Sequence, residues 1–282
     1  MSLTSLILKF AAPVPKPESY SRFLFVGPHP DDVEIGAGAT AAKLAKAGKQ
    51  VTILVCLDGR YGDGLSGGVR GDDLARTRRE EAVRAAARLG VKDVLFLGRL
   101  DGGVKAVTPE EAAEAEMLCD GGFYEMKDLV QGLADAVTRT QPEVIFGPDP
   151  LSRSECHPDH LNAGNAVRQI ACFSPYPGIM SRYPAKAPED GKAGAPVQAA
   201  AFYMTARPNR YIRTDGALLK AQLEAIAAHR SQFPGGSAEL KSVSTYLRLR
   251  SFNFGLHRAG LHGEGFRVYG QTQMHCLPEA GE

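Results

Sequence analysis

Net charge is nearly absent: 33 basic against 32 acidic side chains leave +1 over 282 residues. That balance excludes the electrostatic footprint by which a chain holds nucleic acid or an anionic membrane. Cysteine is sparse and unpatterned. The five (Cys56, Cys119, Cys156, Cys172, Cys276) are odd in number, scattered and without a C-x-x-C. This argues against a disulfide framework and for reduced thiols in a cytoplasmic protein. No apolar run approaches membrane-spanning length. The opening residues, mildly apolar but broken by Lys9, do not read as a signal peptide. Internal repeats and low-complexity tracts are missing too. No G-x-G-x-x-G follows the first apolar run, so nothing supports a dinucleotide site.

The remainder is ordinary globular composition, 44% hydrophobic and 23% charged, with enough mass to bury a real core. Residues 1–22 form a Pro-bearing lead-in without clear period, and 23–276 read as one domain. Strands are expected at 23–26, 51–57, 93–97, 143–147 and 197–205, with a short one at 211–212. The run at 51–57 is continuously apolar and β-branched, the mark of a strand buried on both faces of a parallel sheet. Helices are expected at 31–47, 73–89, 109–117, 124–140, 158–172, 217–232 and 240–250, with Pro30 and Pro158 in first-turn slots and Gly48 closing the first. The glycine-rich stretch 58–72 and the Pro/Gly/Ala/Lys-rich stretch 174–196 read as loops. Alternating strands and helices imply an α/β fold: a Rossmann-like, doubly wound, mostly parallel sheet with helices on both faces. Right-handed crossovers then align the loops after the first four strands along one sheet edge, where such folds bind ligands.

Two clusters fall on that edge. The first, Pro28-His29-Pro30-Asp31-Asp32, follows strand one; the second, Ser154-Glu155-Cys156-His157-Pro158-Asp159-His160, follows strand four. His29 and Asp32 stand one helical turn apart, so both can face one centre while Asp31 sits beside them. With His160 they make a two-histidine, one-carboxylate set, the pattern of a catalytic zinc with an open position. Fe(II) takes the same donors, so ligand type leaves the metal open. An unligated Asp31 next to such a metal can take a proton from water. His157, at the start of its helix, can donate to a developing oxyanion and protonate a leaving amine, and Asp159 can orient a histidine. The plain alternative for Asp31 and Asp32 is helix capping, which does not require the histidine. Cys156 is a soft donor, but its place on a turn points it elsewhere. His229, His257, His262 and His275 read as ordinary surface or core histidines.

Pro28-His29-Pro30-Asp31-Asp32-Val33-Glu34-Ile35-Gly36, with Gly38 and Thr40, resembles the opening motif of the LmbE-like (PIG-L) de-N-acetylases. The stretch Val33–Gly36 is closest to the bacillithiol-type branch; many members carry glutamate directly after the second aspartate. His157-Pro158-Asp159-His160 resembles the second motif. Arg78 and Glu81 before Leu89-Gly90-Val91, Leu97-Gly98 with Asp101-Gly102, and Lys220 with His229-Arg230-Ser231-Gln232 are similar to three further family segments. The resemblance covers about residues 23–270 and implies a hydrolase that removes acetyl from an N-acetylated amino sugar or its conjugate. It implies one Zn²⁺ on His29, Asp32 and His160, with Asp31 as general base. It further implies His157 stabilising the tetrahedral intermediate, and Arg78 and Asp101 contacting a small-molecule substrate. Arg78 could otherwise pair with Glu81 on one helix face, and Asp101 could form an Asx-turn. Since family members often assemble into rings or trimers, a homo-oligomer is also implied. Departures at 58–72 and 174–196 leave the substrate open, because those loops would frame the pocket. Two rival readings use the same residues: a mononuclear Fe(II) oxygenase and a non-catalytic sugar-binding relative. The second has no use for an intact Asp31 and His157.

Overall fold

The computed structural model describes residues 7, 10–65, 67–98, 104–183 and 193–275. Asp101 and Cys276 lie outside them, as do residues 184–192 of the 174–196 segment. In chain order the elements are β1 (Arg22–Gly27), α1 (Asp32–Lys46), β2 (Gln50–Val55), α2 (Gly71–Arg88), β3 (Asp93–Phe96), β4 (Val104–Ala106), α3 (Pro109–Ala113), α4 (Met126–Thr140) and β5 (Val144–Pro148). There follow α5 (Pro158–Phe173), α6 (Pro177–Met180), β6 (Ala199–Tyr203), β7 (Arg210–Arg213), α7 (Gly216–Ile226), α8 (Ala238–Leu256), β8 (Gly263–Gly270) and α9 (Gln271–His275).

The eight strands form one sheet in the order β4-β3-β2-β1-β5-β6-β8-β7. Its centre, from β3 to β6, is parallel; β4, β8 and β7 join antiparallel at the two ends. The expected α/β architecture is therefore present. Alternation along β1 shows why helices cover both faces. Phe23 and Phe25 enter one apolar layer with Val33 and Ala41 of α1 and Ala82 and Ala85 of α2. Leu24 and Val26 enter the other, with Leu133 of α4 and Val167 and Ile170 of α5. All four β1 side chains are buried, and each contributes about 1.5–3 kcal/mol by leaving water. Phe25 stacks on Phe146 of β5 at 4.3 Å between centroids, fixing the two strands whose ends carry the histidine clusters.

Several expected boundaries shift. Pro30 stands before the N-cap residue Asp31, not at the first helical position, whereas Pro158 does open α5. Gly48 closes α1 with φ +72° as expected. The helix expected over 217–232 stops at Ile226. Leaving the helix there lets Ser231 reach Glu81 of α2, with its N–H at 2.9 Å and its hydroxyl at 2.6 Å from the carboxylate. Two strands are additions, β4 and β8. Gly263, Gly265 and Gly270 dilute the apolar pattern of β8, yet close packing requires them. A Cβ at Gly263 would stand 3.1 Å from the Gly255 amide of α8, and one at Gly265 3.1 Å from the Phe254 ring. No helix among the described residues is long and apolar enough to cross a membrane.

Candidate active site

β1 ends at Gly27, where a Cβ would lie 3.1 Å from Val33 and 3.2 Å from the His29 carbonyl, so glycine permits the tight exit into α1. The turn places Asp31 at φ +120°, a conformation that costs a non-glycine residue on the order of 1–3 kcal/mol. Asp31 occupies the N-cap position but makes no side-chain cap hydrogen bond. The capping alternative therefore fails for this residue. Its carboxylate instead faces the Arg78 guanidinium of α2 at 3.2 Å. Arg78 is itself buried and also donates to the carbonyls of Pro30 (2.8 Å) and Gly59 (3.1 Å). Glu81 is engaged with Ser231, so the i,i+3 pairing of Arg78 with Glu81 is not the arrangement present.

Asp32 accepts from the His29 amide at 2.8 Å. One of its oxygens lies 3.3 Å from His29 Nδ1 and the other 3.4 Å from His160 Nε2. One ligand atom from each of His29, Asp32 and His160 can be chosen so that all three lie within 4.8 Å of one another. A tetrahedral zinc with bonds of about 2.0–2.1 Å sets its donors roughly 3.3 Å apart, so the spacing and the donor chemistry fit such an ion. The far ring nitrogens are held by carboxylates: His29 Nε2 meets Asp159 at 2.9 Å and His160 Nδ1 meets Glu155 at 3.0 Å. This is the outer support that metal-binding histidines usually have. His29, His157 and Asp159 form a second grouping with compatible spacing. The Asp159 carboxylate is already occupied, however. It accepts from the amides of Gly121 (2.7 Å) and Gly122 (2.9 Å) and from the Tyr124 hydroxyl (3.1 Å), besides its contact with His29. Asp159 therefore orients His29, as its position beside the histidines suggested.

The electrostatics follow from these contacts. Burial disfavours charge on His29, but the hydrogen bonds its ring donates to Asp159 and Asp32 outweigh it and raise the pKa to about 10. His160 shows the same competition, burial against Asp32, and rises to about 9. Asp32 is also penalised by burial, yet its two imidazoles hold it well below the usual carboxylate range. Asp31 goes the other way: burial raises it, and Arg78 only partly offsets this. Two adjacent carboxylates are thus driven apart, the pattern expected where one binds a cation and the other moves a proton. Burial and the neighbouring His29 lower His157, keeping its ring neutral. Its Nδ1 accepts from the Asp159 amide at 3.3 Å, which leaves the ring proton on Nε2 as a donor. The His157 ring centroid stands 5.0 Å from that of His29 and 5.1 Å from that of His160.

The structure thus brings together His29, Asp31, Asp32, His157, His160 and, one contact behind, Arg78. Cys156 is exposed and outside both groupings. Four supporting residues went unassigned in the sequence: Glu155, Tyr124, Gly121 and Gly122. Glu155, five positions before His160, had a sequence signal; the other three lie far from either motif and had none. His229 is a core histidine, wholly buried, with Nε2 3.7 Å from Glu34 of α1.

At the carboxyl edge of the parallel strands the mixed α/β sheet thus carries a cluster of three imidazoles and two adjacent carboxylates able to hold a cation and move a proton. A family model described as PIG-L, GlcNAc-PI de-N-acetylase, matches residues 24–171, and the chain belongs to this family. It is 30% identical over 262 residues to the diacetylchitobiose deacetylase of Thermococcus kodakarensis, spanning 92% of this chain and 87% of that one. It is 32% identical over 205 residues to a 1D-myo-inositol 2-acetamido-2-deoxy-alpha-D-glucopyranoside deacetylase of Kineococcus radiotolerans, covering 68% of this chain and 54% of that one. The solved N,N'-diacetylchitobiose deacetylase of Pyrococcus horikoshii superposes with a TM-score of 0.79 at 26% identity, covering 99% of this chain and 97% of that one.

Proposed function

We propose that the chain is a zinc-dependent N-deacetylase that frees acetate from a 2-acetamido sugar or its conjugate. One observation carries the reading. In a family whose relatives are deacetylases, an unligated, strained Asp31 lies against a two-histidine, one-carboxylate set spaced for a cation. His29, Asp32 and His160 would hold the metal. A zinc ion there would polarise the amide carbonyl and lower the pKa of a bound water from 15.7 to about 7.

The chain's own groups divide the remaining work. Asp31, aimed by Arg78, takes the proton from the attacking water. His157 Nε2–H donates to the carbonyl oxygen as negative charge develops on it. The proton that Asp31 has taken passes to the nitrogen, the C–N bond breaks, and the free amine and acetate depart. Arg78 is assigned first to Asp31, and Asp101 is retained as a substrate contact. A cytoplasmic setting belongs to the same reading, on the odd number and scatter of the five cysteines along the sequence.

The test joins elemental analysis of the purified protein to an acetate-release screen over N-acetylated amino sugars. Asp31→Asn is expected to retain metal while kcat falls on the order of 10²–10⁴-fold. Full turnover in that variant would remove Asp31 from the role of base, and strictly O₂-dependent turnover would move the chain to Fe(II) chemistry.

A further inference from the structure

A helix lying on the surface of a globular chain turns an apolar stripe inward and charged or polar residues outward. α8 departs from this rule. Its inward side is set by Leu247, Ser251 and Gly255, buried and four residues apart, and Phe254 beside them meets Tyr211 of β7 at 5.7 Å between ring centroids. At 3.6 residues per turn, the opposite arc runs from Phe252 round to Tyr246. It carries Tyr246, Leu249, Phe252 and Leu256, each between 48% and 66% exposed. The rest of that arc is Ala238 with the uncharged polar Ser242, Thr245 and Asn253, all exposed. No charged group interrupts it along the helix.

The area is that of an interface. The exposed parts of the four large side chains amount to roughly 500 Å², near the top of what a monomer leaves in one apolar patch. A specific interface buries about 800 Å² on each partner, of which about 56–58% is non-polar, so the patch matches that apolar share. The face is also held in place. The Arg250 guanidinium lies over the Tyr246 ring, 6.0 Å from its centroid, which reduces the ordering that association would cost.

We propose that this face of α8 binds a second copy of the chain, the two helices packing antiparallel about a two-fold axis that passes between Leu249 and Phe252. The spacing is self-complementary, as an isologous contact requires. Intervals of three, three and four residues separate Tyr246, Leu249, Phe252 and Leu256, so the row reads nearly the same from either end. Antiparallel pairing then sets Tyr246 on the partner's Leu256 and Leu249 on the partner's Phe252. A ring meets an aliphatic side chain in each case, no like charges are brought together, and the helix dipoles oppose. A lipid surface fits less well. Hydrocarbon would leave Ser242, Thr245 and Asn253 without partners, and Lys241 and Arg248 flank the arc on one side only. The inference is independent of the deacetylase reading.

Sedimentation equilibrium at micromolar concentration should give twice the 30.2 kDa of one chain, or an even-numbered assembly. Leu249→Asp places two carboxylates across the axis and should halve that mass, raising the dissociation constant about 100-fold or more. Its circular dichroism should match the wild type, because Leu249 is exposed. Leu249→Met should keep the assembly, as should Val107→Lys, which charges an exposed apolar residue beyond β4 at the far end of the sheet. Orientation is read separately: Tyr246→Cys mixed with Leu256→Cys should cross-link between the two variants. A monomeric wild type overturns the proposal, and so does an assembly whose mass Leu249→Asp leaves unchanged. Cross-linking of Tyr246→Cys to itself in place of the mixed pair would overturn the antiparallel two-fold. A monomeric wild type that sediments with phosphatidylcholine–phosphatidylserine vesicles, and a Leu249→Asp variant that does not, would assign the face to a membrane instead.

Discussion

Asp31 concentrates the local cost of the site, with φ +120° and a buried carboxylate whose charge Arg78 only partly compensates. Glycine adopts that backbone freely. Asp31→Gly is therefore expected to raise stability by on the order of 1 kcal/mol in thermal denaturation while abolishing acetate release. A loss of stability would mean that the Arg78 contact outweighs the strain. The two imidazoles lead to a second expectation. With pKa values raised to about 10 and 9, His29 and His160 of the metal-free protein hold protons at neutral pH that a cation must displace. Zinc affinity, measured by chelator competition, should accordingly rise with pH. A pH-independent affinity would exclude these two histidines as ligands. The sign for the fold is opposite. Raised histidine pKa values stabilise the metal-free protein fully below the ordinary 6.5, and that contribution is lost as pH climbs through about 9 to 10.

α5 shows how much precision an element must supply. It places His160 in its first turn, and four residues on, on the same face, Gly164 lies against the end of β5. A Cβ at Gly164 would stand 2.6 Å from the Pro148 carbonyl and 2.8 Å from the Pro150 ring. Backbone cannot yield there as a flexible side chain would. Gly164→Ala should cost about 1–3 kcal/mol in denaturant unfolding and weaken metal retention by displacing His160. Unchanged metal content would show that the helix can shift without its first turn following. Motifs were legible in such elements wherever chemistry and backbone rules coincide: Pro158 opens α5, Gly48 closes α1, and β2 reads as continuously buried. β8 was not legible, because its glycines answer to the close approach of α8 and not to any periodicity along the strand.

For the molecule as a whole, sheet order makes the site. His29 and Asp159 are 130 residues apart, yet β1 and β5 are hydrogen-bonded neighbours running parallel. Their following segments therefore emerge side by side at one edge. A cation held there ties β1 and α1 to α5, and ligands that bind only the folded state stabilise it by mass action. Zinc at 100 times its dissociation constant should add about 2.7 kcal/mol, a rise in Tm of roughly 5 °C for a chain of this length, reversed by a chelator. No shift on adding or removing zinc would argue against a ligand set drawn from both segments.

The amino-acid order alone determined the alternation of strands and helices, the parallel centre of the sheet, and the residues proposed to bind a cation or move a proton. Those are properties of neighbouring residues: period, turn chemistry and donor type. The tertiary structure decided the partners. It set Arg78 on Asp31 instead of Glu81, Glu155 behind His160, the Gly121 and Gly122 amides on Asp159, and Tyr61 against Phe123. Such pairings depend on which loops the sheet brings to a common edge, and no spacing along the chain encodes that distance.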